Sequence, residues 1–118
     1  MAALLPLSAF HVNADEKPIK QDIPINPVRD DTNNRSLIQQ PIECCYIGIM
    51  NIILTTFNVD LGDVYIEVMN ITTGETENVS FDSGNAPQIS LPISGKQGLH
   101  IVTIVTESGN VYEGSFTI

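Results

Sequence analysis

Hydrophobic positions in this chain recur with period two rather than every third or fourth residue, and the alternation is concentrated after Pro41. Residues 63–70 place Val64, Ile66 and Val68 on one face and Tyr65, Glu67 and Met69 on the other. Successive side chains of an extended chain point to opposite faces, so this is the signature of a half-buried antiparallel strand. Residues 111–118 repeat it, with Tyr112, Gly114, Phe116 and Ile118 opposite Val111, Glu113, Ser115 and Thr117. Residues 76–81 carry the pattern through Val79 and Phe81, and Ile89 and Leu91 mark a shorter strand. The runs 52–57 and 99–106 differ, being apolar or β-branched on both faces. They are too short for typical helices and rich in strand formers, so they read as central strands. A run at 42–48 precedes them.

Turn chemistry separates these segments. Thr72-Thr73-Gly74-Glu75 and Ser108-Gly109-Asn110 supply a glycine, which takes positive φ at no steric cost, where the chain must reverse. No window has helical periodicity. About seven strands at regular spacing predict an all-β fold, an antiparallel β-sandwich of the immunoglobulin or fibronectin III kind. A sandwich buries one face of each sheet, so the two-sided runs 52–57 and 99–106 predict that something covers an outer face. The preceding segment, a second copy or a partner are the options.

The chain divides into three parts. Residues 1–14 hold an apolar run from Ala2 to Phe10 without a charged side chain. Val12 and Ala14 fit the small-residue positions of a signal peptidase site, with Asp15 as the new N-terminus. The run has no basic residue before it, so a translation start upstream of Met1 is expected. Residues 15–40 read as an extended polar tether, because Pro18, Pro24 and Pro27 deny it a regular ladder. Ile23, Ile25 and Val28 would still allow a short edge strand, where proline is tolerated. Residues 41–118 form the sandwich domain.

Composition narrows the function classes. The chain has 118 residues, enough for one modest core, and 42% hydrophobic content with 16% charged residues excludes disorder over most of its length. No apolar run is long enough to span a bilayer as a helix. Net charge is −9, and no Lys or Arg follows Lys96. Such a field repels phosphates, so nucleic-acid binding is excluded.

Candidate chemistry is sparse. Cys44 and Cys45 are adjacent; a strand sends their side chains to opposite faces, and their Cα separation is shorter than disulfides prefer. One thiol is expected in the core and the other exposed or under a neighbouring element. His100 faces inward if it shares a face with Val102 and Ile104, and outward in the opposite register. Asp60, Asp63 and Glu67, and the cluster Asp30, Asp31 and Asn33, lack the spacing of a calcium loop. Asn70-Ile71-Thr72 and Asn78-Val79-Ser80 match the N-glycosylation pattern. One histidine and scattered acids do not assemble a nucleophile, base and orienting group, so no catalytic, cofactor-binding or metal-binding residue is assigned and no enzyme is expected.

Some of these positions carry a resemblance. Arg35-Ser36 followed by Pro41-Ile42, the spacing Val64-x-Ile66-x-Val68 then Gly74, and the tail Gly98-x-His100-x-Val102-x-Ile104, Gly109, Tyr112-x-Gly114-x-Phe116-x-Ile118 resemble a family of small secreted proteins of gut-type anaerobic bacteria. That family is a domain of unknown function with an immunoglobulin-like sandwich. The resemblance covers residues 35–118 and implies export and a sandwich, with His100 inward. The tail is similar, more loosely, to the C-terminal sorting domains of an outer-membrane secretion system, which commonly place an aromatic where His100 stands and end in a basic strand. The expectation is a secreted binding domain at the cell envelope, with a protein partner or self-association. The alternative is a carbohydrate-binding module using Tyr65 and Tyr46 as stacking platforms.

Overall fold

The computed structural model describes residues 20–28 and 41–118. The leader at 1–14, the cleavage point before Asp15 and the acidic cluster at 30–33 lie outside the described residues. Nine strands follow in chain order: β1 (Gln21–Ile23), β2 (Asn26–Pro27), β3 (Ile42–Ile47), β4 (Ile52–Phe57), β5 (Asp63–Asn70), β6 (Thr76–Asp82), β7 (Gln88–Pro92), β8 (Leu99–Val105) and β9 (Val111–Thr117). They form two antiparallel sheets, ordered β1-β3-β4-β7 and β2-β9-β8-β5-β6. No described residue is helical, and the expected all-β sandwich is the fold. The strands predicted after Pro41 correspond to β3 through β9, with ends that agree within a residue or two.

Residues 21–27 add two strands to that expectation. Ile23 lies opposite Cys44 in the first sheet, and Pro27 lies opposite Tyr112 in the second. The chain therefore leaves one sheet and joins the other across Pro24 and Ile25. Both new strands are edges, where a missing N–H costs no ladder bond. Ile23 and Ile25 are buried in the core, so the core reaches upstream of Pro41. Val28 stays exposed while its N–H donates to the Val111 carbonyl at 2.9 Å. Opposite this crossing stands Gly114, where a Cβ would run into the Pro24 carbonyl oxygen and the side chains of Ile25 and Ile23. Glycine is required here for close backbone approach, not for positive φ.

The inner faces follow the alternation. Ile42, Cys44, Tyr46, Ile53, Phe57 and Leu91 of one sheet meet Val64, Ile66, Val68, Val102, Ile104 and Phe116 of the other. Apolar burial of this kind contributes roughly 25 cal/mol per Å² and is the main term holding the sheets together. Three rings cross the gap between sheets near one end of the sandwich. His100 stacks on Phe116 with centroids 4.7 Å apart, and Phe116 stacks on Tyr46 at 5.3 Å. Phe57 and Phe81 pack together near the other end, at 5.6 Å.

Candidate functional site

The structure places the sequence candidates in separate environments. Tyr46, expected as an exposed stacking platform, is 1% exposed. Its ring lies in the core against Phe116, and its hydroxyl donates to Asn51 Oδ1 at 2.7 Å. The reason is strand parity: Glu43 needs water, which turns Ile42, Cys44 and Tyr46 inward. Tyr65 alone of that pair is presented to solvent. Its hydroxyl donates to Glu67 Oε1 at 3.2 Å, and it lines a shallow depression of about 570 Å³ with Asp63, Ser80, Asp82, Val105 and Thr106.

His100 faces inward and is 2% exposed. Its Nδ1 lies 3.0 Å from the Gly98 carbonyl oxygen, which can only accept, so Nδ1 carries the proton. The Gly98 carbonyl and the Phe116 ring hold the imidazole in place. Cys44 and Cys45 are free thiols on opposite faces of β3. Cys44 lies in the core, 3.4 Å from Thr55 Oγ1, and burial pushes its thiol up to about 11. Cys45 lies on the outer face but is also buried, covered by the neighbouring strands where Asp22 of β1 and Leu54 of β4 lie opposite it. Burial raises it too, with Lys20 opposing and Asp22 adding.

Two of the loop carboxylates close their own turns, and Glu107 ties its loop to the start of β5. Asp60 Oδ1 accepts the Gly62 N–H at 2.9 Å, Asp82 Oδ1 accepts the Gly84 N–H at 2.8 Å, and Glu107 Oε1 accepts the Asp63 N–H at 2.9 Å. Among the described residues, no three His, Cys, Asp or Glu side chains gather as a metal-binding group. Of the two glycosylation patterns, Asn70 is buried and fully engaged. Its Nδ2 donates to the Gln97 carbonyl, and its Oδ1 accepts from the N–H groups of Thr72 and Thr73. Asn78 is exposed on β6.

The two ends of the sandwich differ in chemistry. At one end, the β3–β4 turn, the β5–β6 turn and residues 93–98 converge. Ile93 N–H donates to the Asn51 carbonyl at 2.9 Å, and Ile71 N–H donates to the Leu99 carbonyl at 2.8 Å. Glu75 fastens the same region, accepting from Lys96 Nζ at 2.9 Å and Ser94 Oγ at 3.1 Å, which holds its carboxyl below the ordinary value. This end exposes Ile49 (74%), Met50 (62%), Ile71 (49%) and Leu99 (42%). The other end carries Asp60, Asp63, Asp82 and Glu107 around the loops that follow β4, β6 and β8, with exposed Val28, Val59 and Tyr65 among them. Sequence reasoning placed the apolar excess on the outer faces of β4 and β8; there Ile52, Leu54, Ile101 and Val105 are half-buried by their neighbours. The turn residues Ile49, Met50 and Ile71 were missed, although large apolar side chains within turns are themselves a signal.

No family model matches this chain, and no curated protein matches it. Among solved structures, the fold is similar to that of a DUF3244 family protein with an immunoglobulin-like β-sandwich fold from Bacteroides vulgatus. The TM-score is 0.64 at 14% sequence identity, covering 84% of this chain and 98% of that one. At that identity the likeness is one of fold, and the sandwich is immunoglobulin-like. The resemblance read from the sequence is matched at that level; the looser sorting-domain likeness is not matched by this structure.

Proposed function

We propose that this chain is an exported, non-enzymatic immunoglobulin-like domain that binds a protein partner at the cell envelope through its apolar end. The observation that carries the reading is the grouping of exposed Ile49, Met50, Ile71 and Leu99 at one end, whereas Val28, Val59 and Tyr65 at the other end stand among Asp60, Asp63, Asp82 and Glu107. Exposed apolar side chains grouped on turns and rimmed by polar residues mark interaction surfaces. Burying the part each still exposes would contribute roughly 0.6–2 kcal/mol, and the polar rim would set orientation. The acidic end keeps the molecule soluble and disfavours that end as the contact for an acidic partner. Export is supported by the apolar run from Ala2 to Phe10 with Val12 and Ala14 before Asp15. A carbohydrate reading now rests on Tyr65 alone, and sugar stacking leans on broader flat aromatic surface.

The test is crosslinking capture from an envelope extract with the full chain, beside an Ile49→Asp/Met50→Asp variant. A stoichiometric protein captured by the parent and lost, at least tenfold, with the variant supports the reading. Equal capture by both chains moves the surface elsewhere, and capture of nothing by either removes the protein-partner reading.

A further inference from the structure

β6 ends its sheet, and among the described residues no strand lies on its outer side. Its ladder with β5 places Glu77 opposite Val68, Val79 opposite Ile66 and Phe81 opposite Val64. Two bonds flanking that ladder set its parity: Asn70 N–H donates to the Glu75 carbonyl at 2.8 Å, and Ser83 N–H donates to the Gly62 carbonyl at 2.9 Å. Hydrogen-bonded pairs alternate along an antiparallel ladder, so odd-numbered residues of β6 turn their backbone polar groups toward β5. Thr76, Asn78 and Ser80 turn theirs to the open edge; at Asp82 only the N–H does, because its carbonyl accepts the Asn85 N–H at 3.0 Å. Such an edge is a template for another strand unless something blocks it. β7, the corresponding edge of the other sheet, ends in Pro92, which cannot donate. β6 contains no proline.

The strand is nearly complementary to itself. A second copy's β6, laid antiparallel about Val79, would place Val79 against Val79, Asn78 against Ser80 and Thr76 against Asp82. Side chains on the outer face would then be polar throughout, and two five-stranded sheets would join into one. The exception is Glu77, which would meet Phe81 of the second copy. Glu77 shares the inner-facing side of β6 with Val79 and Phe81 and is half-buried there. A carboxylate pointing inward at a sheet edge loses hydration when that edge is covered, a recognised way of keeping edges unpaired. We infer that β6 is a self-complementary edge for two-fold pairing with a second copy of this chain, and that Glu77 holds it open.

Sedimentation equilibrium of the full chain tests this. The Glu77→Val variant is expected to form a dimer with a dissociation constant at least tenfold below that of the parent. Adding Ser80→Pro removes an outward N–H and is expected to return it to the parent's behaviour. Should Glu77→Val lose its near-UV circular dichroism, Glu77→Gln replaces it, with the same expectation for the neutral side chain. The inference is overturned if the folded Glu77 variant associates no more tightly than the parent. It is equally overturned if its dimer survives Ser80→Pro.

Discussion

Cys44 and Cys45 sit one residue apart, and the pleat of β3 gives them different chemistry. Cys44 faces the core, where no water stabilises a thiolate, and the Thr55 contact offsets only part of that cost. With its thiol at about 11, roughly one molecule in a thousand carries the thiolate at pH 8. Alkylation of the native protein at pH 8, followed by mass spectrometry, is expected to modify Cys45 first. Cys44 should stay unmodified over a period in which urea-unfolded chain reacts fully at both. Equal rates for the two in the native state would contradict the placement of Cys44. Opposite faces were legible in the sequence, because strand parity needs no partner to be known. Tyr46 was legible by the same rule through Glu43, yet a tyrosine's amphipathic ring made it attractive as a platform. His100 was not legible from packing alone, since Leu99, Ile101 and Val105 would fill a core as readily as Val102 and Ile104. The ring of Phe116, reached across the β8–β9 pairing, is what gives the inward imidazole its place.

Among the elements, the crossing at Pro24 depends most on tertiary contact. β1 and β2 are too short to persist alone, and Ile23 and Ile25 hold them by burial. Gly114→Ala would put a methyl group against the Pro24 carbonyl, which is backbone and has little room to yield. Overpacking of this kind costs about 1–3 kcal/mol. Urea unfolding should show that loss, and hydrogen exchange should locate it by faster exchange at residues 21–28 while β5 and β8 keep their protection. A loss spread evenly over all strands would mean that the crossing is not where the strain falls. The glycine itself was visible in an alternating strand. Its reason was not, because the approaching carbonyl lies some ninety residues upstream in the chain.

At the scale of the whole molecule, the net charge of −9 is unevenly spread. Asp63 and Asp82 are direct cross-strand partners, and Asp60 and Glu107 stand on the adjoining loops. Like charges placed directly opposite each other on a sheet are destabilising. Raising ionic strength from about 0.01 to 0.15 M shortens the screening length from ~30 to ~8 Å. The thermal midpoint is expected to rise by a few degrees, corresponding to ~0.5 kcal/mol of relieved repulsion. An Asp82→Asn variant should respond to salt less than the parent. A midpoint that falls or stays level with added salt in the parent would show that the acidic end carries no net strain.

The alternation of residues by itself determined that this chain is all-β, where most of its strands run, and which face of β5 and β9 is buried. Those are local properties, because an extended backbone alternates its side chains and a polar face must meet water. Only the tertiary structure decided the rest. It drew Ile23 and Ile25 into the core between the sheets, chose the inward face of β8, and gathered Ile49, Met50, Ile71 and Leu99 at one end. It also left β6 at an edge with Glu77 turned inward. Each of these depends on which distant strand lies alongside, and period-two patterns on many strands are interchangeable until the whole set is packed together.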